Sequence, residues 1–129
     1  MQLYKYDLEG FLQWGYNFYN AQYSDYPVNP YLVTDGDEFF PAGDGFQVYP
    51  GADGFPEESI RMMITAQALY DLRALRLLES LTSRTHVLAL IDEGLQTPVT
   101  FSVYPGSAAY LLNLRARVNR EIAEAYAAD

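Results

Sequence analysis

The chain has 129 residues, half of them apolar, and a net charge of −9 at pH 7. This length fits one domain or less, and the apolar content excludes a disordered chain. The acidic balance disfavours nucleic acid and anionic membranes as partners, and the lack of Cys excludes disulfides and thiolate chemistry. No apolar run approaches the about 20 residues of a membrane span, and no secretory signal opens the chain, which favours a cytoplasmic location.

The first part of the chain is predicted to be a helix end, a strand, a loop and a second strand. Residues 1–8 read as the last turns of a helix, and a chain that opens inside a helix without a cap indicates truncation. Residues 11–19 are apolar and aromatic on both faces, which predicts a fully buried strand. Residues 20–43 are a loop by composition, residues 45–49 a short buried strand, and residues 50–55 a turn.

The clearest helix is predicted over residues 56–82. Pro56 suits the first helical position, and Glu57 and Glu58 suit the positive end of the helix dipole. The apolar residues cover a broad face that suits packing on a sheet, and they are Ile60, Met63, Ile64, Leu69, Leu72, Leu75 and Leu78.

The rest of the chain is predicted to be two helices with a strand-like segment between them. The helices cover residues 85–93 and 107–127, and residues 97–104 have strand character. Two buried strands are too few for a stable sheet. Either residues 97–104 join the sheet, or other copies of the chain complete it, or the native protein is longer.

Two glycine-bounded cassettes carry the functional signal of the sequence. The first reads Gly10-Phe11-Leu12-Gln13-Trp14-Gly15-Tyr16-Asn17-Phe18-Tyr19-Asn20, and the second reads Gly43-Asp44-Gly45-Phe46-Gln47-Val48-Tyr49-Pro50-Gly51. Ser59-Ile60-Arg61 follows near the start of the long helix. Over residues 1–82 this pattern resembles the C-terminal part of the catalytic domain of glycoside hydrolase family 123.

The resemblance implies an α/β fold of a particular kind. Residues 1–82 would be the C-terminal fragment of a (β/α)8 barrel, with its last two strands and last helix. Residues 83–129 would be a small helical extension with one candidate strand.

The resemblance also implies an enzyme that removes N-acetylgalactosamine from glycans. In the family the acetamide oxygen of the sugar attacks the anomeric carbon, one acid protonates the leaving oxygen, and a neighbouring Asp orients the acetamide. That Asp-Glu pair lies on an earlier barrel strand, so the chain is expected to lack it and to be inactive alone. The alternative function is a non-catalytic module that binds carbohydrate or associates with itself.

Five residues are candidates for sugar binding, and none is a candidate for catalysis. Trp14 would stack on a sugar ring or fill a barrel core, and Asn17 and Tyr19 would bond sugar hydroxyls or loop backbone. Asp44 would accept from sugar hydroxyls or shape a turn between two glycines. Tyr49 lies at the carboxyl end of its strand, where barrel ligands bind.

Other polar residues are assigned structural roles. Arg61 opposes the helix dipole, which predicts a salt bridge with Asp44 or Asp53. Asp92 and Glu93 match the family's catalytic pair in letters only, because they lie at a helix end before Gly94 and not after a buried strand.

No cofactor or metal is predicted. The acidic residues 35–38 fail the Ca²⁺-loop template, and His86, the one His of the chain, fits a surface or capping position. The expected partners are an N-acetylhexosamine-type glycan and further copies of the chain, which would associate through exposed strand edges and a helix face.

Overall fold

A computed structural model describes residues 1–128, which form four α-helices and one small sheet. The elements are α1 (Gln2–Lys5), β1 (Val48–Pro50), β2 (Pro56–Glu58), α2 (Ile60–Leu81), α3 (Arg84–Asp92) and α4 (Ala108–Ala127), with a 3-10 helix at Gln22–Ser24. The chain divides into two compact units, residues 11–67 and residues 1–10 with 68–129. None of the described helices is long and apolar enough to cross a membrane.

Helices form the unit of residues 1–10 and 68–129. Their buried side chains make one apolar core of Tyr4, Leu75, Leu78, Val87, Leu90, Ile91, Val99, Leu114 and Val118. The Ser83 side chain accepts a hydrogen bond from the amide of His86 at the start of α3, and Ser107 does the same for Tyr110 at the start of α4. The predicted helices over 85–93 and 107–127 are therefore confirmed within a residue or two.

Residues 97–104 are irregular with bends, so the strand predicted there is wrong. The Thr100 amide donates to the Val103 carbonyl at 2.7 Å, which closes the segment on itself. Val99 is buried, and its amide donates to Asp92 at 2.9 Å. Side chains thus satisfy the backbone of this segment, and β-propensity alone did not decide its conformation.

The sheet lies in the unit of residues 11–67 and is an antiparallel hairpin. β1 pairs with β2 so that Tyr49 lies opposite Glu57. The strand predicted at 45–49 exists but is short and shifted, and the prediction that Pro56 opens the long helix is wrong. Pro56 is tolerated because it lies at the end of an edge strand.

Ser59 determines where the long helix begins. Its hydroxyl accepts from the amide of Met62 at 3.3 Å and donates to the carbonyl of Gln47 at 2.5 Å. A serine that caps the free amides of a first turn is a stronger start signal than the proline three residues earlier. α2 therefore starts at Ile60 and ends at Leu81, close to the predicted end.

Residues 11–19 are irregular and mostly exposed, so the buried strand predicted there is wrong. Leu12 is 89% exposed, and the segment meets the second cassette through an isolated bridge between Asn17 and Phe46. A fully buried strand needs neighbours on both edges and cover on both faces. Within residues 1–128 the mixed α/β class is confirmed, and the barrel arrangement is not.

The long loop predicted over residues 20–43 is confirmed, and Tyr31 attaches part of it to the hairpin. Tyr23 is 84% exposed, whereas the Tyr31 hydroxyl contacts the Pro50 carbonyl at 3.1 Å and Glu57 at 2.9 Å. Burial and then the hydrogen bond to Glu57 raise the pKa of Tyr31, so its hydroxyl stays protonated at neutral pH.

Candidate functional site

The two cassettes contact each other directly. The Trp14 indole donates from Nε1 to Oδ2 of Asp44 at 2.8 Å, and the Gln13 amide donates to the Asp44 carbonyl at 3.0 Å. The Phe18 amide donates to the Gly45 carbonyl at 2.9 Å. The structure therefore brings the predicted residues Trp14 and Asp44 together as a hydrogen-bonded pair.

The Trp14 ring is packed on one side and open on the other. It contacts the ring of Phe18 with the centroids 5.4 Å apart and that of Phe40 at 5.1 Å. The residue remains 46% exposed. Trp14 is therefore partly packed against aromatic rings and partly accessible.

The other three candidates line one cavity of about 240 Å³. Asn17, Tyr19 and Tyr49 all contribute to its wall, whereas Trp14 and Asp44 do not. The remaining lining residues are Tyr16, Val48, Pro50, Gly51, Gly54, Phe55 and Pro56. None of the lining side chains carries a charge, so the cavity suits a neutral ligand.

Sequence reasoning missed two aromatic residues of this wall, Tyr16 and Phe55. Tyr16 lies in the first cassette, where Trp14, Asn17 and Tyr19 were chosen as candidates and Tyr16 was not. Phe55 lies in the segment assigned as a turn, and an aromatic side chain between Gly54 and Pro56 was the available signal.

The Tyr19 hydroxyl is oriented by the backbone of β1. It donates to the Val48 carbonyl at 2.8 Å. Burial, and then the neighbouring Tyr16, raises the pKa of Tyr19, so the hydroxyl stays protonated at neutral pH. Its proton is committed to Val48, and its lone pairs remain able to accept from a ligand hydroxyl.

Aromatic and cationic groups surround the Tyr49 ring. Tyr31 stacks on it with the centroids 4.9 Å apart and the planes at 26°, and Phe46 meets it at 5.1 Å and 70°. The Arg61 guanidinium lies 5.6 Å from its centroid. These contacts hold the ring, and Tyr49 also lines the cavity.

Arg61 bonds the second cassette and not an acidic residue, so the predicted salt bridge with Asp44 or Asp53 is wrong. Its Nε donates to the Phe46 carbonyl at 3.0 Å, and its guanidinium lies 4.7 Å from the Phe46 centroid. Its buried Nη2 has no hydrogen-bond partner among the described residues. The aromatic faces replace a carboxylate as the partner of this cation.

Asp92 and Glu93 stabilise the other unit. Asp92 ends α3, pairs with Lys5 at 2.6 Å and accepts from the Val99 amide at 2.9 Å. Glu93 pairs with Arg117. The helix-end position is confirmed, and both carboxylates are engaged in structural contacts.

The remaining polar candidates also have structural partners. The His86 amide donates to the capping Ser83, and its ring Nε2 lies 2.6 Å from Glu121. The surface position predicted for His86 is confirmed, and the cap of α3 is Ser83. Asp37 accepts from the Tyr26 hydroxyl. Among residues 1–128 there is no group of three or more His, Asp or Glu side chains that could hold a metal ion.

Comparison with known families identifies the chain. The model of the glycoside hydrolase 123 catalytic domain matches residues 1–78. The chain belongs to glycoside hydrolase family 123. The match covers both cassettes and most of α2, and the resemblance stated from the sequence is thereby confirmed. No curated protein matches this family 123 chain.

The contact between the cassettes depends on Gly15. A Cβ at this position would lie 2.5 Å from the Asp44 carbonyl oxygen and 2.5 Å from the Gly45 carbonyl carbon. We expect Gly15→Ala to separate the cassettes and to lower the free energy of unfolding by about 1–3 kcal/mol, the usual cost of overpacking. Denaturant unfolding measures this change, and Trp14 fluorescence reports its environment.

Gly10→Ala is the matched control, because no atom lies within 4 Å of a Cβ at that position. A Gly15→Ala chain as stable as this control would contradict the close approach of the two cassettes.

Proposed function

We propose that this chain supplies sugar-binding residues of a family 123 glycoside hydrolase that acts on β-linked N-acetylgalactosamine. The observation that carries the proposal is the cavity that brings Asn17, Tyr19 and Tyr49 together. Family membership supports a carbohydrate substrate in general. The volume of about 240 Å³ is below the range of about 300–1,000 Å³ typical of drug-sized ligands and suits one sugar unit.

The charge of the unit favours a neutral sugar. Residues 11–67 contain eight acidic side chains and a single cation, Arg61. Uronic acids and sulfated sugars would meet this negative field, whereas an N-acetylated amino sugar carries no charge. In the proposed complex the Tyr19 hydroxyl and the Asn17 amide bond the sugar hydroxyls or its acetamide, and Tyr49 presents its edge.

Asp44 has a distinct role in the proposal. One of its carboxylate oxygens accepts from the Trp14 indole, and the other remains free to accept from a sugar hydroxyl. We place this pair beside a second sugar unit, because it does not line the cavity.

The hydrolytic step needs groups that we place outside this chain. The sugar acetamide attacks the anomeric carbon, and a paired acid protonates the leaving oxygen. The second carboxylate of that pair orients the acetamide, so both carboxylates must be held beside the same sugar unit. The contacts of Asp92 with Lys5 and Val99 support its exclusion from this role.

We propose that residues 1–82 form the last strands and helix of a (β/α)8 catalytic domain, and that residues 83–129 form a helical extension. The support is the exposure of the apolar segment 11–19, where Phe11 is 57% and Leu12 89% exposed. Further barrel strands would pair with this segment and with β1, and would cover both faces.

A non-catalytic module is the second candidate, and the face of α2 favours it. Ile60 is 69%, Met63 49% and Ile64 61% exposed. An apolar face of this kind favours association between copies of the chain. Such a module would associate with other copies of the chain, or would bind glycans without hydrolysing them.

Sugar binding is the first test of the proposal. We expect N-acetylgalactosamine to bind at millimolar concentrations, measured by isothermal titration calorimetry and by Trp14 fluorescence. Asn17→Ala should weaken binding by about two- to tenfold, because it removes a hydrogen bond worth about 0.5–1.5 kcal/mol. Tyr23→Phe is the control, since Tyr23 is 84% exposed and outside the cavity. An unchanged signal with millimolar sugar would refute the sugar-binding role.

Turnover distinguishes a binding fragment from an enzyme. We expect no hydrolysis of an aryl N-acetylgalactosaminide by the chain alone, since the catalytic acids are placed elsewhere. A chromogenic release assay measures this. Hydrolysis that disappears in both Asp92→Asn and Glu93→Gln would show that these two residues are the catalytic pair after all.

Association is the third expectation. The chain should form oligomers that Ile64→Lys weakens, because a charge on an apolar contact surface costs desolvation free energy. Light scattering across a concentration series measures the mass. Ala66→Lys is the matched control, since it adds the same charge two residues away on another side of α2. A monodisperse monomer of the unchanged chain would argue for a small domain that folds by itself.

A further inference from the structure

The cavity is lined by four aromatic side chains, and their surroundings differ. These residues are Tyr16, Tyr19, Tyr49 and Phe55. A sugar ring packs its apolar C–H face on an aromatic face, whose π cloud is negative. Only a ring whose face is not already occupied can serve in this way.

Tyr49, the predicted binding residue, is an unsuitable platform. Tyr31 is stacked on it, and Phe46 and the Arg61 guanidinium also contact the ring. A sugar that stacked on Tyr49 would have to displace one of these groups. Tyr49 therefore contributes its edge and hydroxyl.

Tyr19 is also engaged. Its ring lies 5.9 Å from that of Phe46, and its hydroxyl is bonded to the Val48 carbonyl. Trp14, the residue predicted to stack on a sugar ring, packs on Phe18 and Phe40 and is not part of the cavity wall.

Phe55 differs from these residues because its ring is exposed while hydrogen bonds restrain its backbone. The residue is 73% exposed and lies in the turn between β1 and β2. Its amide donates to Oδ1 of Asp53 at 3.1 Å, and its carbonyl accepts from the Gly51 amide at 2.9 Å. A Cβ on Gly51 would collide with the Phe55 carbonyl, so the glycine permits this tight turn.

A ligand that packs on Phe55 would remove apolar surface from water. An exposed phenyl ring leaves a large apolar surface in water, whereas the turn already restrains its backbone. A ring with two side-chain torsions on a restrained backbone loses little conformational entropy when a ligand packs on it. The same turn holds Pro50 and Pro56 in the wall of the cavity beside the ring.

We propose that Phe55 is the stacking platform of the cavity, on which the apolar face of the bound sugar rests. This inference rests on the proposed function and adds a specificity-determining residue to the same site. Tyr16, the remaining aromatic residue of the wall, is 49% exposed against 73% for Phe55, so it presents less accessible surface to a ligand.

The test compares Phe55→Ala with the unchanged chain in titrations with the methyl β-glycoside of N-acetylgalactosamine. Loss of the stacking face should raise the dissociation constant by about tenfold, while the midpoint of thermal unfolding stays unchanged. Phe39→Ala is the matched control, because Phe39 is 56% exposed and does not line the cavity.

Phe55→Trp in a Trp14→Phe chain supplies a direct reporter. It keeps an aromatic face at position 55, so binding should persist and the emission of the new indole should change as the sugar saturates. Phe55→Leu keeps an apolar side chain without a π face, and it should weaken binding nearly as much as Phe55→Ala.

The outcomes separate the two proposals. Binding by the unchanged chain that Phe55→Ala leaves intact overturns the stacking role and leaves the proposed function standing. If the unchanged chain binds no sugar, both are overturned. Equal affinities of the Leu and Trp variants would show that apolar bulk and not an aromatic face is what the site requires, which also overturns the inference.

Discussion

The close approach of the two cassettes at Gly15 is the constraint on which the candidate site depends. The backbone of residues 44–45 lies where any side chain at Gly15 would be. This approach allows the Trp14 indole to reach Asp44, and it continues into the bonds from Phe18 to Gly45 and from Gln47 to Tyr16. The polar and aromatic side chains of both segments are thereby held in fixed relation without a regular sheet between them.

The hairpin and the start of α2 extend this arrangement. Ser59 donates a hydrogen bond to the Gln47 carbonyl, and Arg61 donates one to the Phe46 carbonyl. Residues at the start of α2 therefore anchor the backbone of the second cassette. Tyr31 brings the long loop onto the hairpin by stacking on Tyr49 and bonding Glu57, which lies opposite Tyr49 in the register. One aromatic side chain thus connects the loop with both strands.

The helices could be predicted from the sequence because their signals are local. Ser83 and Ser107 cap α3 and α4 near the predicted starts, and periodic apolar residues mark the buried sides. The absence of a strand over the described residues 11–19 could not be predicted, because an apolar segment becomes a strand only where neighbours pair with it. For the same reason only part of the candidate site could be predicted from the sequence. The cassette pattern indicated Tyr19 and Tyr49, whereas the importance of Phe55 depends on a turn whose shape follows from contacts across it.

The two units of the chain differ in how their charged side chains are paired. Arg115 pairs with Asp71, Lys5 with Asp92 and Arg117 with Glu93, and all of these pairs lie in the helical unit. The unit of residues 11–67 has one cation, and that cation packs on aromatic rings. Its acidic side chains are therefore left without salt-bridge partners among the described residues, while the cavity wall is uncharged. A neutral ligand with hydroxyl groups and one apolar face matches both conditions, and an anionic ligand matches neither.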